Sequence, residues 1–506
     1  MPPADSNTAK QFSQGAMVGT AWSTVSTVGK QLLSIASLAT VARLLGPGAY
    51  GVMGMANLLI VFIVNFRDLG TGTAIIQRLS VNDRLLSSLF WINCLLGLLL
   101  AGVVIAASPL TARFFYTPEL VPILCVISVS FWLSSCGIVH NSLLLREMRF
   151  KALASADLGA AVIGYLVALV SAYCGLGVWS LVFANIANST ATTSFYWLAT
   201  SWRPSRNFDR VEVKSVMNFS LNLSGFGIVN YASRNADNII VGRILGQVAL
   251  GNYQMAYNLM LTPLQNISAV IAQVTLPAFS QIQEETERFR IAYIRTSSIV
   301  ALITFPIMGG LGVVADPLIR AVLGPKWLGA IPIFEILAPV GLVQSVETLV
   351  GMIYMARGRT DWMFRWGAFR CLIIVAAFLV GVRFGAVGVA MAYLIVYLAV
   401  LAYPGFAIPF RLIDLKVREF ASALMPQTLL TVVMVCVCWI WLRGLAMSSV
   451  SNVWFRLASA SALGTAVYLI GLRTIRPPVL QYLVNVMKGS QNPIILKSSA
   501  IVQRMI

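Results

Sequence analysis

Nineteen residues of this chain occur twice, two hundred positions apart. Residues 41–59 (VARLLGPGAYGVMGMANLL) align without a gap on residues 241–259 (VGRILGQVALGNYQMAYNL), with nine identities. The identities include an Arg pair, Arg43 and Arg243, and two Gly pairs, Gly46 with Gly246 and Gly51 with Gly251. Chance agreement between two greasy segments does not supply those. Each copy reads as the end of one apolar helix, a tight turn and the start of the next. A duplicated set of membrane helices is the usual build of a secondary transporter, so a two-lobed carrier is expected.

Composition sets the solvent. Charged residues make up 11% of the 506 and apolar ones 58%, against a charged share of about 25% in soluble domains. Apolar runs long enough for about 30 Å of hydrocarbon recur throughout. They lie near 15–44, 48–66, 85–108, 118–144, 152–174, 176–200, 215–243, 249–273, 291–315, 328–355, 362–382, 386–410, 419–442 and 452–473. The expected fold is an all-α polytopic membrane protein of about 14 transmembrane helices. Two six-helix lobes stand in a parallel pseudo-twofold repeat, with two extra C-terminal helices. Six is even, so both copies keep one orientation and relate by an axis along the membrane normal. The expected division is an N-lobe at 1–200, a polar linker at 201–214, a C-lobe at 215–411, two further helices at 412–474 and a tail at 475–506. Residues 1–14 are polar and the first apolar run is too long for a cleavable signal, so it reads as a first span.

A net charge of +18 invites a nucleic-acid reading, but its distribution is that of a topology signal. Alternate loops and the tail hold 26 of the 36 Lys and Arg, while the opposite ends hold seven: Arg43, Arg113, Arg243, Arg320, Lys326, Arg383 and Arg443. This bias places both termini of a multi-pass protein in the cytoplasm. No nucleic-acid partner is expected; anionic membrane lipids are. The seven cysteines fall in or at the ends of apolar spans and read as packing residues. His140, the single histidine, reads as structural rather than as a proton relay.

Enzyme motifs fail on inspection. Gly29-Lys30 lacks the glycine and the Ser or Thr of a phosphate loop, and one histidine cannot serve both a zinc site and a triad. No catalytic residue, metal or cofactor is expected. The informative polar groups lie in the first and seventh spans, where a charge at mid-bilayer costs about 2.5–3.5 kcal/mol and so meets a cavity or a partner. Asn230, Ser233, Arg234 and Asp237 share one helical face. The same face of the first span carries Lys30, Ser34 and Ser37, with Ser26 one turn earlier. Gln265 and Glu347 extend the polar inventory of the second lobe. The first span contains no acid, and the first lobe's spans have none near mid-depth. A hydrated, cationic central cavity is the expectation. The plainer alternatives are that Lys30 snorkels to the interface and that Arg234 pairs only with Asp237. Arg43, Gly46, Arg243 and Gly246 read as helix-turn and gating positions, the two arginines capping the helices that end at Gly46 and Gly246.

Several pieces carry a family resemblance: Ala42 to Pro47 with Tyr50-Gly51, Asp68-Leu69-Gly70 through Ile75-Ile76-Gln77-Arg78, Leu276 to Ser280, and Gly324-Pro325-Lys326-Trp327. With these the chain resembles the polysaccharide-transporter (Wzx-type) lipid-linked oligosaccharide flippases of the multidrug/oligosaccharidyl-lipid/polysaccharide exporter superfamily. The resemblance implies a pair of six-helix lobes that alternate access. It implies a cargo of undecaprenyl-diphosphate-linked oligosaccharide for exopolysaccharide, capsule or O-antigen synthesis, with polysaccharide polymerase and export machinery as further partners. Alternatives are a cation-coupled multidrug antiporter of the same superfamily, and a membrane-embedded glycan polymerase or acyltransferase.

Overall fold

The computed structural model describes residues 22, 24–64, 71–78, 81–206, 235–448, 452–480 and 482. Among these residues the ordered elements are all helices. In chain order they are α1 (Thr24–Leu45), α2 (Pro47–Val64), α3 (Thr71–Gln77), α4 (Asp83–Phe115), α5 (Leu120–Arg146), α6 (Phe150–Tyr173) and α7 (Trp179–Ala199). There follow α8 (Ala236–Gln281), α9 (Thr286–Val313), α10 (Ala315–Val322), α11 (Ala330–Ala356) and α12 (Thr360–Gly381). The chain ends with α13 (residues 385–410, with a π turn at Tyr397–Leu401), α14 (Val417–Met447) and α15 (Val453–Ile475).

Among the described residues, ten stretches are long and apolar enough to cross a bilayer. One of them, Thr360–Ile413, holds both α12 and α13, and neither α7 nor α8 is among the ten. The expected count of fourteen is therefore not established, and most of the span expected at 215–243 lies outside the described residues. The helices carry bare apolar side chains outward: Leu95, Leu372 and Ile440 are each more than half exposed. A soluble protein would hide such residues, and a bilayer is the solvent that accepts them.

The expected repeat is visible in the backbone. Gly46 breaks α1 from α2 at φ 82°, ψ 179°, and Gly246 bends α8 at φ 80°, ψ −175°. This region is open only to glycine, which explains why both copies keep it. The two turns pack on each other with reciprocal contacts. A Cβ on Gly51 would overlap the carbonyl of Gln247, and a Cβ on Gly251 would overlap the carbonyl of Pro47. Positions 47 and 247 are themselves equivalent in the repeat, as are 51 and 251. An exchange-symmetric contact of this kind is the mark of a local twofold relation.

A second correspondence runs at an offset of 210 residues. Helices α5 and α11 each span 27 residues, and each ends in the same turn. Met148 (φ 53°) stands where the second copy has Gly358 (φ 63°). The Arg149 amide donates to the Leu144 carbonyl and that of Arg359 to Tyr354, both at 2.9 Å. At their far ends Gly175 (φ 76°) matches Gly385 (φ 77°).

Contacts divide the chain into two compact units, Met1–Gly251 and Asn252–Ile506. The division falls inside α8, just past the second copy of the repeated turn. The first unit packs Ile75, Leu89, Phe90 and Val139 between α3, α4 and α5. The second packs Phe289, Tyr293, Ile353, Phe406 and Phe420 between α9, α11, α13 and α14. The additional helices α14 and α15 lie against α9: Tyr468 donates to the Leu302 carbonyl at 2.9 Å.

Candidate functional site

Lys30 lies on α1, fifteen residues before Leu45, or about 22 Å along the axis. Its Nζ sits 2.8 Å from Asp157 Oδ2 on α6. Tyr196, on α7, donates to Asp157 Oδ1 at 2.6 Å. Three helices of the first unit thus meet at one carboxylate. Asp157 is seven residues inside α6, about 10 Å from its first turn. In sequence it is inconspicuous, five residues into the apolar run 152–174 and away from mid-depth. The pair is loosely covered, with 44% of the Lys30 side chain and 31% of that of Asp157 exposed. Lys30 is therefore not a bare cation; Asp157 pairs with it. Ser34 and Ser37 continue its face, one exposed and one half-buried.

The expected partner stripe on the seventh span is only partly visible. Asn230 and Arg234 lie outside the described residues. Asp237 is 4% exposed, and its Oδ1 accepts the Asn238 amide at 2.7 Å in the first described turn of α8. Gln265, on the long second arm of α8, is exposed.

Glu347 heads the most enclosed charge cluster among the described residues. Its Oε1 is 2.5 Å from Arg370 Nη1 on α12, and its Oε2 accepts the Tyr397 hydroxyl of α13. The Arg370 guanidinium stands 5.1 Å from the Tyr397 ring centroid. Gln344, one turn before Glu347, donates to the Tyr393 hydroxyl at 2.7 Å. Helix rise places Glu347 about 14 Å from the end of α11 and Arg370 about 15 Å from the start of α12. Tyr397 comes about 18 Å from the start of α13, so three independent helices put the cluster near mid-depth. Arg370 is hard to recognise as an intramembrane residue from sequence. An arginine ten residues into a span, after Arg357, Arg359 and Arg365, reads as one more loop cation.

The repeated turn corrects one expectation. Arg243 does not cap the carbonyls of its own helix. Its guanidinium donates to the Phe114 carbonyl at the end of α4, and to the Tyr116 hydroxyl at 2.8 Å. It also lies 3.9 Å from the Tyr116 ring centroid. Arg243 therefore joins the first arm of α8 to the end of α4, beside a cavity of about 440 Å³ lined by Thr117, Glu119, Gly246 and Gln247. Arg43, its equivalent, is exposed. His140 is fully buried and stacks on Trp197, with ring centroids 4.4 Å apart, which suits a structural residue.

A duplicated, all-helical polytopic membrane protein with charges held inside its spans belongs to the class of carriers. Residues 40–332 match the family described as polysaccharide biosynthesis protein, and the chain belongs to that family. It is 29% identical to the lipopolysaccharide biosynthesis protein WzxC of Escherichia coli (strain K12), over 75% of this chain and 77% of that one. It is 26% identical to the succinoglycan biosynthesis transport protein ExoT of Rhizobium meliloti (strain 1021), over 75% and 77%. Among solved structures, the lipid II flippase MurJ in an inward closed conformation superposes with a TM-score of 0.71 at 15% identity, covering 89% of this chain and 98% of that one. An inward-facing multidrug resistance MATE transporter of the MOP superfamily reaches 0.60 at 17% identity, covering 76% and 94%. Both structural likenesses establish the fold.

Proposed function

We propose that this protein is a flippase that moves undecaprenyl-diphosphate-linked oligosaccharide repeat units across the bacterial inner membrane by alternating access. The repeat units feed exopolysaccharide, capsule or O-antigen synthesis. The observation that carries this reading is the match, over three quarters of the chain, to polysaccharide biosynthesis and transport proteins. The multidrug antiporter alternative has only a shared fold behind it.

The chemistry suits the reading. The cargo's diphosphate needs cations inside the membrane, while its lipid tail stays in the bilayer. Lys30 and Arg234 are the cations proposed to meet the phosphates, with Asp157 and Asp237 holding them when no cargo is present. Two cations at similar depth repel each other, and an anion arriving between them relieves that. The protein acts as a carrier rather than an enzyme, with both termini cytoplasmic because Lys and Arg concentrate on that side.

Loss of the protein should leave lipid-linked repeat units accumulated and polymer export stopped, with the wild-type chain restoring export. Lys30→Ala and Arg234→Ala should fail to restore it at normal membrane abundance. Arg234→Lys should restore it in part, because a point charge replaces a fork that grips oxygens in pairs. Normal lipid-linked pools in the absence of the protein would contradict the proposal. A cysteine placed at residue 210 should be labelled only from the cytoplasmic side; labelling from outside intact cells would reverse the topology.

A further inference from the structure

We propose that Arg370 is an oxyanion subsite for the cargo, held in reserve by Glu347; this rests on the flippase reading above. The first argument is that the first copy has no charged pair at the corresponding positions. At the offset set by the Met148/Gly358 and Gly175/Gly385 turns, Glu347, Arg370 and Tyr397 correspond to Gly137, Ala160 and Ala187. The first copy builds the same helices with none of the three side chains. A mid-membrane ion pair present in one copy and absent from the other calls for a reason beyond the shared fold, since intramembrane charges are costly to place.

The second argument is geometric. A guanidinium carries five donors in a planar fork; Glu347 engages one nitrogen of it through a single oxygen, and Tyr393 makes one further hydrogen bond to Arg370. The Arg370 side chain keeps 26% of its surface open, and Glu347 only 14%. Trp366 stands one turn before Arg370 on the same face of α12, and its indole nitrogen lies beside the space that Gly405 leaves open over Glu347 Oε1.

The third concerns where the displaced carboxylate goes. Tyr397 already donates to its Oε2. Tyr354, in the short helical segment Val350–Ala356 that follows Glu347, is 2% exposed and its hydroxyl has no hydrogen-bond partner. A buried hydroxyl left unpaired is costly. A carboxylate that leaves Arg370 keeps the Tyr397 donor, so an oxyanion of the cargo can take its place on the guanidinium. No bond is made or broken in the exchange. The ligand chemistry is an oxyanion, from either the carrier's diphosphate or an acidic sugar.

The test uses the purified full chain in nanodiscs, titrated calorimetrically with inorganic diphosphate, with methyl glucuronide and, as the neutral control, with methyl glucoside. One of the two anions should bind and the glucoside should not; which anion binds identifies the source of the charge. Glu347→Gln should bind that anion about tenfold more tightly, because the competing carboxylate is gone. Arg370→Ala should lose about tenfold or more, and Arg370→Lys should fall between. A structural ion pair predicts no gain from Glu347→Gln. Binding unchanged in Arg370→Ala, no tightening in Glu347→Gln, or no anion bound at all would overturn the subsite. So would normal polymer export by Arg370→Ala. Those results leave the flippase reading standing, whereas failure of the wild-type chain to restore export would remove that reading itself.

Discussion

In the first unit, Lys30, Asp157 and Tyr196 meet about 10 Å inside α6, with both charges about a third or more exposed. In the second, Arg370, Glu347 and Tyr397 meet near mid-depth, the carboxylate almost covered. Both clusters have the same parts, a cation and a tyrosine hydroxyl on one carboxylate. They are built at positions that do not correspond: Asp157 matches Gly367, and Arg370 matches Ala160. The backbone of the duplication is kept to within a few degrees at its glycine turns, while its charges have been placed afresh. Turn geometry is a requirement that both copies share, and charge is one that each copy answers separately.

The largest difference to exploit is in stability. Glu347→Ala should cost about 3–5 kcal/mol, because it strands a largely buried guanidinium. Asp157→Ala should cost about 0–1 kcal/mol, because its pair is open and exposed. Thermal unfolding of the two variants in one detergent checks this; equal losses would erase the contrast between the units. Next comes the contact shared by the two turns. Gly51→Ala and Gly251→Ala should each cost about 1–3 kcal/mol by forcing a methyl into a carbonyl. The two losses should also be alike, since the contact is reciprocal. A large cost at one site and none at the other would break the local twofold.

How much of this was legible in the sequence follows from the same contrast. The 41–59 and 241–259 repeat could be read because the Gly46 and Gly246 turns admit no other residue, which preserves identity. The turns at 146–151 and 357–361 correspond only loosely in sequence, because Met148 adopts the left-handed backbone that Gly358 occupies at no cost. Glu347 was found as an isolated acid in an apolar run. Arg370 and Asp157 were not, since periodicity cannot say how deep a charge near a span's basic end sits, nor which helix faces it. Arg243 was misassigned for a related reason: its partner, the Phe114–Tyr116 corner, is about 130 residues away in sequence.

The smallest expected effect uses that left-handed turn. Met148→Gly should stabilise the chain by about 0.5–1 kcal/mol, and Gly358→Met should cost about 1–2 kcal/mol. Both are read as shifts in unfolding midpoint. If one moves it and the other does not, the two turns are not equivalent in energy, and the 210-residue correspondence is a likeness of shape only.

Proteoliposomes show whether this protein moves a lipid-linked glycan between leaflets. The purified chain would be reconstituted with undecaprenyl-diphosphate-linked oligosaccharide labelled on its sugar, and the label exposed to a membrane-impermeant quencher outside. The account predicts that label initially protected in the inner leaflet becomes quenchable much faster than in protein-free vesicles, and that Lys30→Ala slows this. Protection as lasting as in empty vesicles, with folded protein shown to be present, would contradict it.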